Sequence, residues 1–179
     1  VKRLDSMAFE WQLKEIELTE KYDLENYNIS QTYSQISSYY INTNQPEKAL
    51  EALKKADATA YSPTQKISVQ LEYVNYYSKF GDMQAAEKIL NECKTAFDQD
   101  KRLWSIKKRL YNIEYVYYLQ SKQYPKALEA AKKQEAEELN LSESIQNSVH
   151  YLTKGKIYSN MGNMSEASKY LQMYIEAED

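Results

Sequence analysis

The side chains best suited to covalent chemistry are one thiol and one imidazole, and they stand far apart in the sequence. Cys93 and His150 are the single cysteine and the single histidine of this 179-residue chain. A thiolate–imidazole pair, a zinc site or a histidine-based triad needs a cluster of such groups, and the sequence has none. Cys93 falls at a small-residue position of a helical pattern, which favours a buried structural thiol. We therefore predict no catalytic residue, no metal site and no cofactor, and a protein that is not an enzyme.

Charge offers one candidate for recognition. Within nine residues the chain carries five basic side chains, at Lys101, Arg102, Lys107, Lys108 and Arg109. A solvated helix face is the simple interpretation of this basic cluster, and a landing place for an acidic partner segment is the sharper one. The net charge of −3 gives no general attraction to nucleic acid or to an anionic membrane. We predict no nucleic-acid partner and no membrane contact by this segment.

An alanine recurs along the chain every 37 to 41 residues, and a tyrosine stands nine residues before each copy. The alanines are Ala49, Ala86, Ala127 and Ala167, and the tyrosines are Tyr40, Tyr77, Tyr118 and Tyr158. A period of this size is typical of stacked helical repeats. The chain also has only three glycines and three prolines, which favours long uninterrupted helices.

Each unit of the pattern reads as two helices. In the first unit Tyr33, Ile36 and Tyr40 share one face of a helix, and Ala49 and Leu53 share the inner face of the next. We expect the small alanine to allow the two helices to cross closely, with a bulky tyrosine on the facing helix. A large side chain at the alanine position would force the axes apart.

The turns between the paired helices also follow a pattern. Asn44, Gly81 and Gly162 hold equivalent places, where a helix end commonly adopts the left-handed backbone conformation. Lys122 holds the same place in the third unit, and its residue type predicts a turn that is built differently or strained. Ser62 and Gln65 are spaced for a capping box at the start of the second unit.

These observations predict an all-α solenoid of antiparallel helix hairpins that forms a single array over residues 1–179. A leading helix or truncated repeat occupies 1–29, with Leu4, Ala8, Trp11 and Leu18 on one stripe. The four repeats are predicted at 30–62, 63–99, 100–140 and 141–179, and a polar joint at 139–142 separates the last two.

The spacing of aromatic and small residues resembles the tetratricopeptide repeat over about residues 30–179. The matching residues are Tyr33, Ile36, Ser37, Tyr40, Ala49, Leu53 and Ala56 in the first unit, and Tyr151, Gly155, Tyr158, Gly162 and Ala167 in the last. Glu114 and Lys154 stand where that family prefers Leu. The long, Tyr-rich units and the closing segment 170–179 are similar to sensor arrays of bacterial signalling proteins.

The resemblance implies a right-handed α-solenoid with a concave groove lined by the first helices. The groove positions correspond to Gln31, Ser38, Asn75, Lys79, Arg109, Asn112, Lys156 and Asn160, and to the neighbouring Ser34, Leu71, Glu72, Val116, Leu119 and Leu152. Asparagine can bond both the N–H and the C=O of a peptide, and Arg or Lys can hold a carboxylate. The implied partner is a protein or peptide.

Three functions are therefore compared. The leading hypothesis is a protein-binding or peptide-binding scaffold, the sensor or regulatory segment of a larger bacterial signalling protein. The alternative is a structural array with an empty groove, which forms a homodimer through an uncapped end at Leu171, Tyr174 and Ile175. The third is an accessory domain of an enzyme with no chemistry of its own. The compartment stays open between periplasm and cytoplasm, with the periplasm favoured if the sensor resemblance holds.

Overall fold

A computed structural model describes residues 2–22, 28–138 and 143–178, and every regular element in these ranges is a helix. The predicted joint at 139–142 lies outside the described residues. The helices, most of them packed in adjacent pairs, are α1 Lys2–Tyr22, α2 Ile29–Asn42, α3 Pro46–Thr59, α4 Pro63–Phe80, α5 Met83–Gln99, α6 Lys107–Gln120, α7 Tyr124–Glu138, α8 Glu143–Asn160 and α9 Met164–Glu178. The all-α class of the prediction is confirmed.

The chain divides into two compact units, Val1–Ala96 and Phe97–Asp179. In the first unit α2 and α3 form a helix pair, α4 packs against both of them, and α1 packs against α2. Ile16, Ile36, Ala56 and Val69 are buried where these helices meet. Phe9 of α1 stacks on Tyr39 of α2, with 3.9 Å between ring centroids, which adds an aromatic contact to the apolar packing.

The second unit consists of two helix pairs in sequence. A 3₁₀ helix at Lys101–Ile106 leads into α6, which pairs with α7, and α8 pairs with α9 while also contacting α7. Ala127, Ala131 and Ile157 form the buried centre, surrounded by partly buried tyrosines. The basic cluster spans the 3₁₀ helix and the first turn of α6.

The recurring alanines occupy the most buried positions of the fold, as predicted. Ala49, Ala86 and Ala127 have no exposed surface, and Ala167 has 3 %. The tyrosine nine residues before each alanine is half-buried. The ring of Tyr158 stacks on that of Tyr170 in α9, at 5.6 Å between centroids. The recurrence of Ala and Tyr in the sequence therefore reflects a small residue at each helix contact with a large ring nearby.

The third turn is built like the other three, and the strain that its residue type predicts comes from a positive φ. Lys122 has a backbone φ of 60°, next to 59° at Asn44, 98° at Gly81 and 76° at Gly162. All four turns therefore contain one residue in the left-handed conformation at the same position. At Asn44, Lys122 and Gly162 the next residue also donates its N–H to the carbonyl of the repeat tyrosine, at 2.8 to 3.0 Å. This bonding pattern satisfies the last carbonyls of the helix whichever side chain the turn residue carries.

Side chains cap two helix starts, and the first of these caps confirms the predicted capping box. Ser62 and Gln65 form the capping box at the start of α4, with the Gln65 N–H donating to Ser62 Oγ at 3.2 Å. At the start of α5 the N–H of Ala85 donates to Asp82 Oδ1 at 3.0 Å. These side chains satisfy N–H groups that have no partner within the helix.

The leading segment is helical over Lys2–Tyr22 as predicted, but three residues of its apolar stripe face solvent, and the side chain of Leu4 lies outside the described residues. Ala8 and Leu18 are exposed, and Trp11 keeps 72 % of its surface accessible. The face of α1 that packs against α2 carries Phe9 and Ile16 instead. Packing of a helix on one neighbour buries only one of its faces, so a helix with apolar residues on two faces leaves one exposed.

Candidate partner-binding face

The eight predicted groove residues all retain solvent access. Gln31, Lys79, Asn112, Lys156 and Asn160 are exposed, and Ser38, Asn75 and Arg109 are half-buried. They lie on α2, α4, α6 and α8, the first helices of the four predicted repeats. These placements agree with a solvent-facing surface on each of these helices, and we call the surface of α2 and α4 in the first unit the first-helix face.

The polar groups in the first unit converge on one carboxylate. Ser38 Oγ donates to Glu72 Oε1 at 2.7 Å, and Asn75 Nδ2 donates to the same oxygen at 2.9 Å. Glu72 is buried, with 3 % of its surface exposed. Because Ser38 lies on α2 and Glu72 on α4, the carboxylate joins two successive repeats. A buried carboxylate with charge-assisted hydrogen bonds holds its neighbours in defined positions.

Three neighbouring positions do not belong to the exposed face. Ser34, Leu71 and Glu72 are buried, so they are unavailable as direct contacts. Ser34 Oγ donates back to the carbonyl of Ser30, within its own helix, at 3.0 Å. Leu71 is fully buried because α4 packs against both α2 and α3. The exposed surface of α4 is therefore narrower than the family's groove positions predict.

In the second unit the basic cluster is partly engaged in ion pairs. Arg102 Nη2 lies 2.7 Å from Asp100 Oδ2, and these hydrogen bonds lower the pKa of the Asp100 carboxyl. Lys107 Nζ lies 3.2 Å from Glu137 Oε1, and this bond raises the pKa of Lys107. Local pairing and solvation therefore account for two of the five basic residues without a partner protein.

The single thiol and the single imidazole are both buried, and they lie on different helices. Cys93 on α5 is 1 % exposed, and burial raises its thiol pKa to about 12, as expected of a structural thiol. His150 on α8 is 5 % exposed, and the sequence did not predict its burial. In the described ranges no three His, Cys, Asp or Glu side chains cluster in a way that could hold a metal ion. None of the described helices is both long enough and apolar enough to span a bilayer.

The sequence did not predict that acidic and basic side chains would be buried in the interior. Glu114 and Lys154, which depart from the Leu of the repeat pattern, are both buried. Lys154 Nζ lies 2.6 Å from Glu135 Oε2, and 5.5 Å from the centre of the Tyr170 ring. The departure from Leu was the signal that these side chains require polar partners.

Comparisons with known families agree with the helical repeats. The family model described as 26S proteasome subunit RPN7 matches residues 1–131, and the tetratricopeptide repeat model matches residues 151–178. No curated protein and no solved structure matches the chain. Since the first match covers well over half of the sequence, the chain belongs to the family of the 26S proteasome subunit RPN7.

Proposed function

We propose that this protein is a scaffold that binds a protein or peptide along its first-helix face. The observation that carries the proposal is the bonding of Ser38 and Asn75 to the Glu72 carboxylate. This contact fixes half-buried polar groups of α2 and α4, the helices that also carry the exposed Gln31 and Lys79. Polar groups held in fixed positions lose little conformational freedom when a partner binds.

The family supports a partner within a multi-protein assembly. The matching family model is described as a subunit of the 26S proteasome, and the last repeat matches the tetratricopeptide model. Repeat arrays of this kind use extended surfaces to hold other chains. We therefore propose that the partner is another subunit of a complex.

A charge-reversal pair tests the first-helix face. Lys79→Glu alters the exposed end of this face on α4, and Lys88→Glu makes the same change at an exposed position of α5. We expect affinity capture from native lysate, quantified by mass spectrometry, to lose specific partners with Lys79→Glu and to keep them with Lys88→Glu. Equal capture by the two variants would contradict binding through this face.

A narrower form of the proposal assigns the chain to a larger bacterial signalling protein as its sensor or regulatory segment. Its support is the resemblance of the Tyr-rich units and of segment 170–179 to such arrays. The family match favours an assembly subunit instead. The sequence of the complete parent protein separates these two forms, because a following membrane helix and kinase domain would establish the sensor role.

The alternative function is a structural array that forms a homodimer, and the exposed apolar residues of α9 support it. Met164, Leu171 and Ile175 recur on one side of this helix and are all exposed, whereas Tyr174 is half-buried. We expect Ile175→Glu to convert a dimer into a monomer in sedimentation analysis if this surface mediates association. Tyr61→Glu, at an exposed tyrosine between α3 and α4, is the control. A wild-type chain that is monomeric at high concentration would end this alternative.

A further inference from the structure

A cavity lies in the first unit between α1, α2 and α3. Its volume is about 310 Å³, and Leu13, Ile16, Tyr33, Ile36 and Ala52 supply its apolar walls. Ligand sites in proteins begin at roughly 300 Å³ and are mostly apolar with a few polar groups at their edge. The size and the lining of this cavity suit a single aromatic ring system.

This cavity is separate from the first-helix face. On α2 the cavity is lined by Tyr33 and Tyr40, whereas Gln31 and Ser38 belong to the first-helix face. Residues two apart on an α-helix point about 200° apart, so the two sets occupy opposite sides of α2. A ligand in the cavity would therefore leave the first-helix face accessible.

Two lysines on α3 line the cavity beside its tyrosine rings. Lys48 Nζ lies 5.5 Å from the centre of the Tyr40 ring, and Lys55 Nζ lies 5.7 Å from that of Tyr33. Lys55 also lies 3.4 Å from Glu51, which also lines the cavity. Lys48 has no carboxylate partner within the part of the chain that the structure describes, and it is exposed.

The Tyr33 hydroxyl beside the cavity is already bonded. The hydroxyl of Tyr33 donates to Glu20 Oε1 at 3.1 Å, so this carboxylate is held by a protein donor. Lys48 is then the lining charge that is left to attract an ion of opposite sign. A cation at the edge of an apolar cavity attracts an anion, and because Lys48 is exposed this attraction is strongest at low salt.

We propose that this cavity binds a small molecule that combines one apolar ring system with one anionic group. The ring occupies the space between Ile16, Ile36 and Ala52, and the anion pairs with the Lys48 ammonium. This binding site is additional to the proposed scaffold function and does not depend on it.

Indole-3-acetate and uncharged 3-methylindole test both halves of the proposal. Each is titrated into the ¹⁵N-labelled full chain, and amide shifts are followed by NMR. We expect saturable shifts in α1, α2 and α3, with a dissociation constant of about 1 mM for a ring system of this size. Indole-3-acetate should bind about fivefold more tightly at low salt, because a close ion pair near the surface contributes roughly 1 kcal/mol.

Matched variants assign the interaction to its residues. Lys48→Gln should remove the advantage of indole-3-acetate and leave 3-methylindole unchanged, whereas Lys54→Gln, at an exposed residue of the same helix that does not line the cavity, should change neither. Ala52→Phe should abolish the binding of both compounds by filling the cavity, with circular dichroism verifying the fold. Absence of saturable shifts, or equal affinities of the charged and uncharged compounds for the wild-type chain, would overturn the proposal. If Ala52→Phe unfolds the chain, the comparison of Lys48→Gln with Lys54→Gln still tests the proposal.

Discussion

Lys122 illustrates how a turn can impose a backbone conformation on an unsuitable residue. Its φ of 60° is a left-handed conformation that costs an ordinary L-residue about 1–2 kcal/mol. The Gln123 N–H donates to the Tyr118 carbonyl at 2.8 Å, and the Lys122 N–H donates to the Leu119 carbonyl at 3.2 Å. These bonds and the packing of α6 on α7 compensate for the unfavourable conformation.

Replacement of Lys122 by glycine should therefore stabilise the protein. Glycine adopts positive φ without a Cβ clash, and we expect a gain of about 1 kcal/mol and a melting midpoint about 2–4 °C higher. Ser121→Gly is the matched control, because Ser121 has a φ of −78° and gains nothing from glycine. Thermal denaturation measures both variants, and a lower midpoint for Lys122→Gly would contradict the turn geometry.

Cys93 allows a pH-dependent prediction at the same scale. With a folded pKa of about 12, the thiol stays protonated at pH values where an unfolded cysteine, with a pKa near 9, already ionises. Its contribution to stability is therefore complete below about pH 9 and is lost as the pH rises toward 12. We expect a thiol reagent at pH 8 to label Cys93 only at the rate of unfolding. Rapid labelling of the native chain would contradict burial of this thiol.

At the scale of helices, a partly buried ion pair links two neighbouring helices. The Lys154–Glu135 ion pair joins α8 to α7, with 11 % of the Lys154 side chain exposed and 29 % of that of Glu135. Loss of Glu135 and loss of Lys154 should change the stability by different amounts, because the ammonium is the more deeply buried of the two groups.

We expect Glu135→Ala to destabilise the protein more than Lys154→Leu does. The first variant leaves a buried ammonium without its carboxylate, at a cost of about 2 kcal/mol, whereas water can solvate the Glu135 carboxylate left by the second. Leucine also restores the residue type that the repeat pattern prefers at this position. Urea denaturation compares the two variants, and equal losses of stability would show that the pair is more exposed than its geometry indicates.

At the scale of the whole molecule, the described contacts join helices that are adjacent or next but one in the chain. A repeat array of this kind has a stability made up of local units and their nearest interfaces. The exposed large apolar residues are most numerous in the first described helix, at Met7, Trp11, Leu13, Leu18 and Tyr22. This distribution leaves an apolar surface on α1.

A local perturbation should therefore stay local. Ala167→Leu overpacks the contact between α8 and α9, at a cost of about 1–3 kcal/mol. In native-state hydrogen exchange we expect the amides of α8 and α9 to lose protection, while those of α2 and α3 keep it. Uniform loss of protection along the chain would indicate a single cooperative unit instead.

The sequence by itself determined the features that depend on local periodicity. Ala49, Ala86, Ala127 and Ala167 identified the helix contacts, because a methyl side chain is required wherever two helices approach closely. Asn44, Gly81 and Gly162 identified turns through their intrinsic tolerance of positive φ. Ser62 and Gln65 identified a helix start through hydrogen bonds made within four residues.

Only the tertiary structure decided the features that depend on residues distant in sequence. The left-handed Lys122 is imposed by the bonds around it and has no signature in its own side chain. The Ser38–Glu72 contact and the cavity between α1, α2 and α3 arise from helices brought together by packing. The exposed stripe of α1 likewise reflects which face its neighbour covers, and a periodic pattern cannot specify that choice when two faces of a helix are apolar.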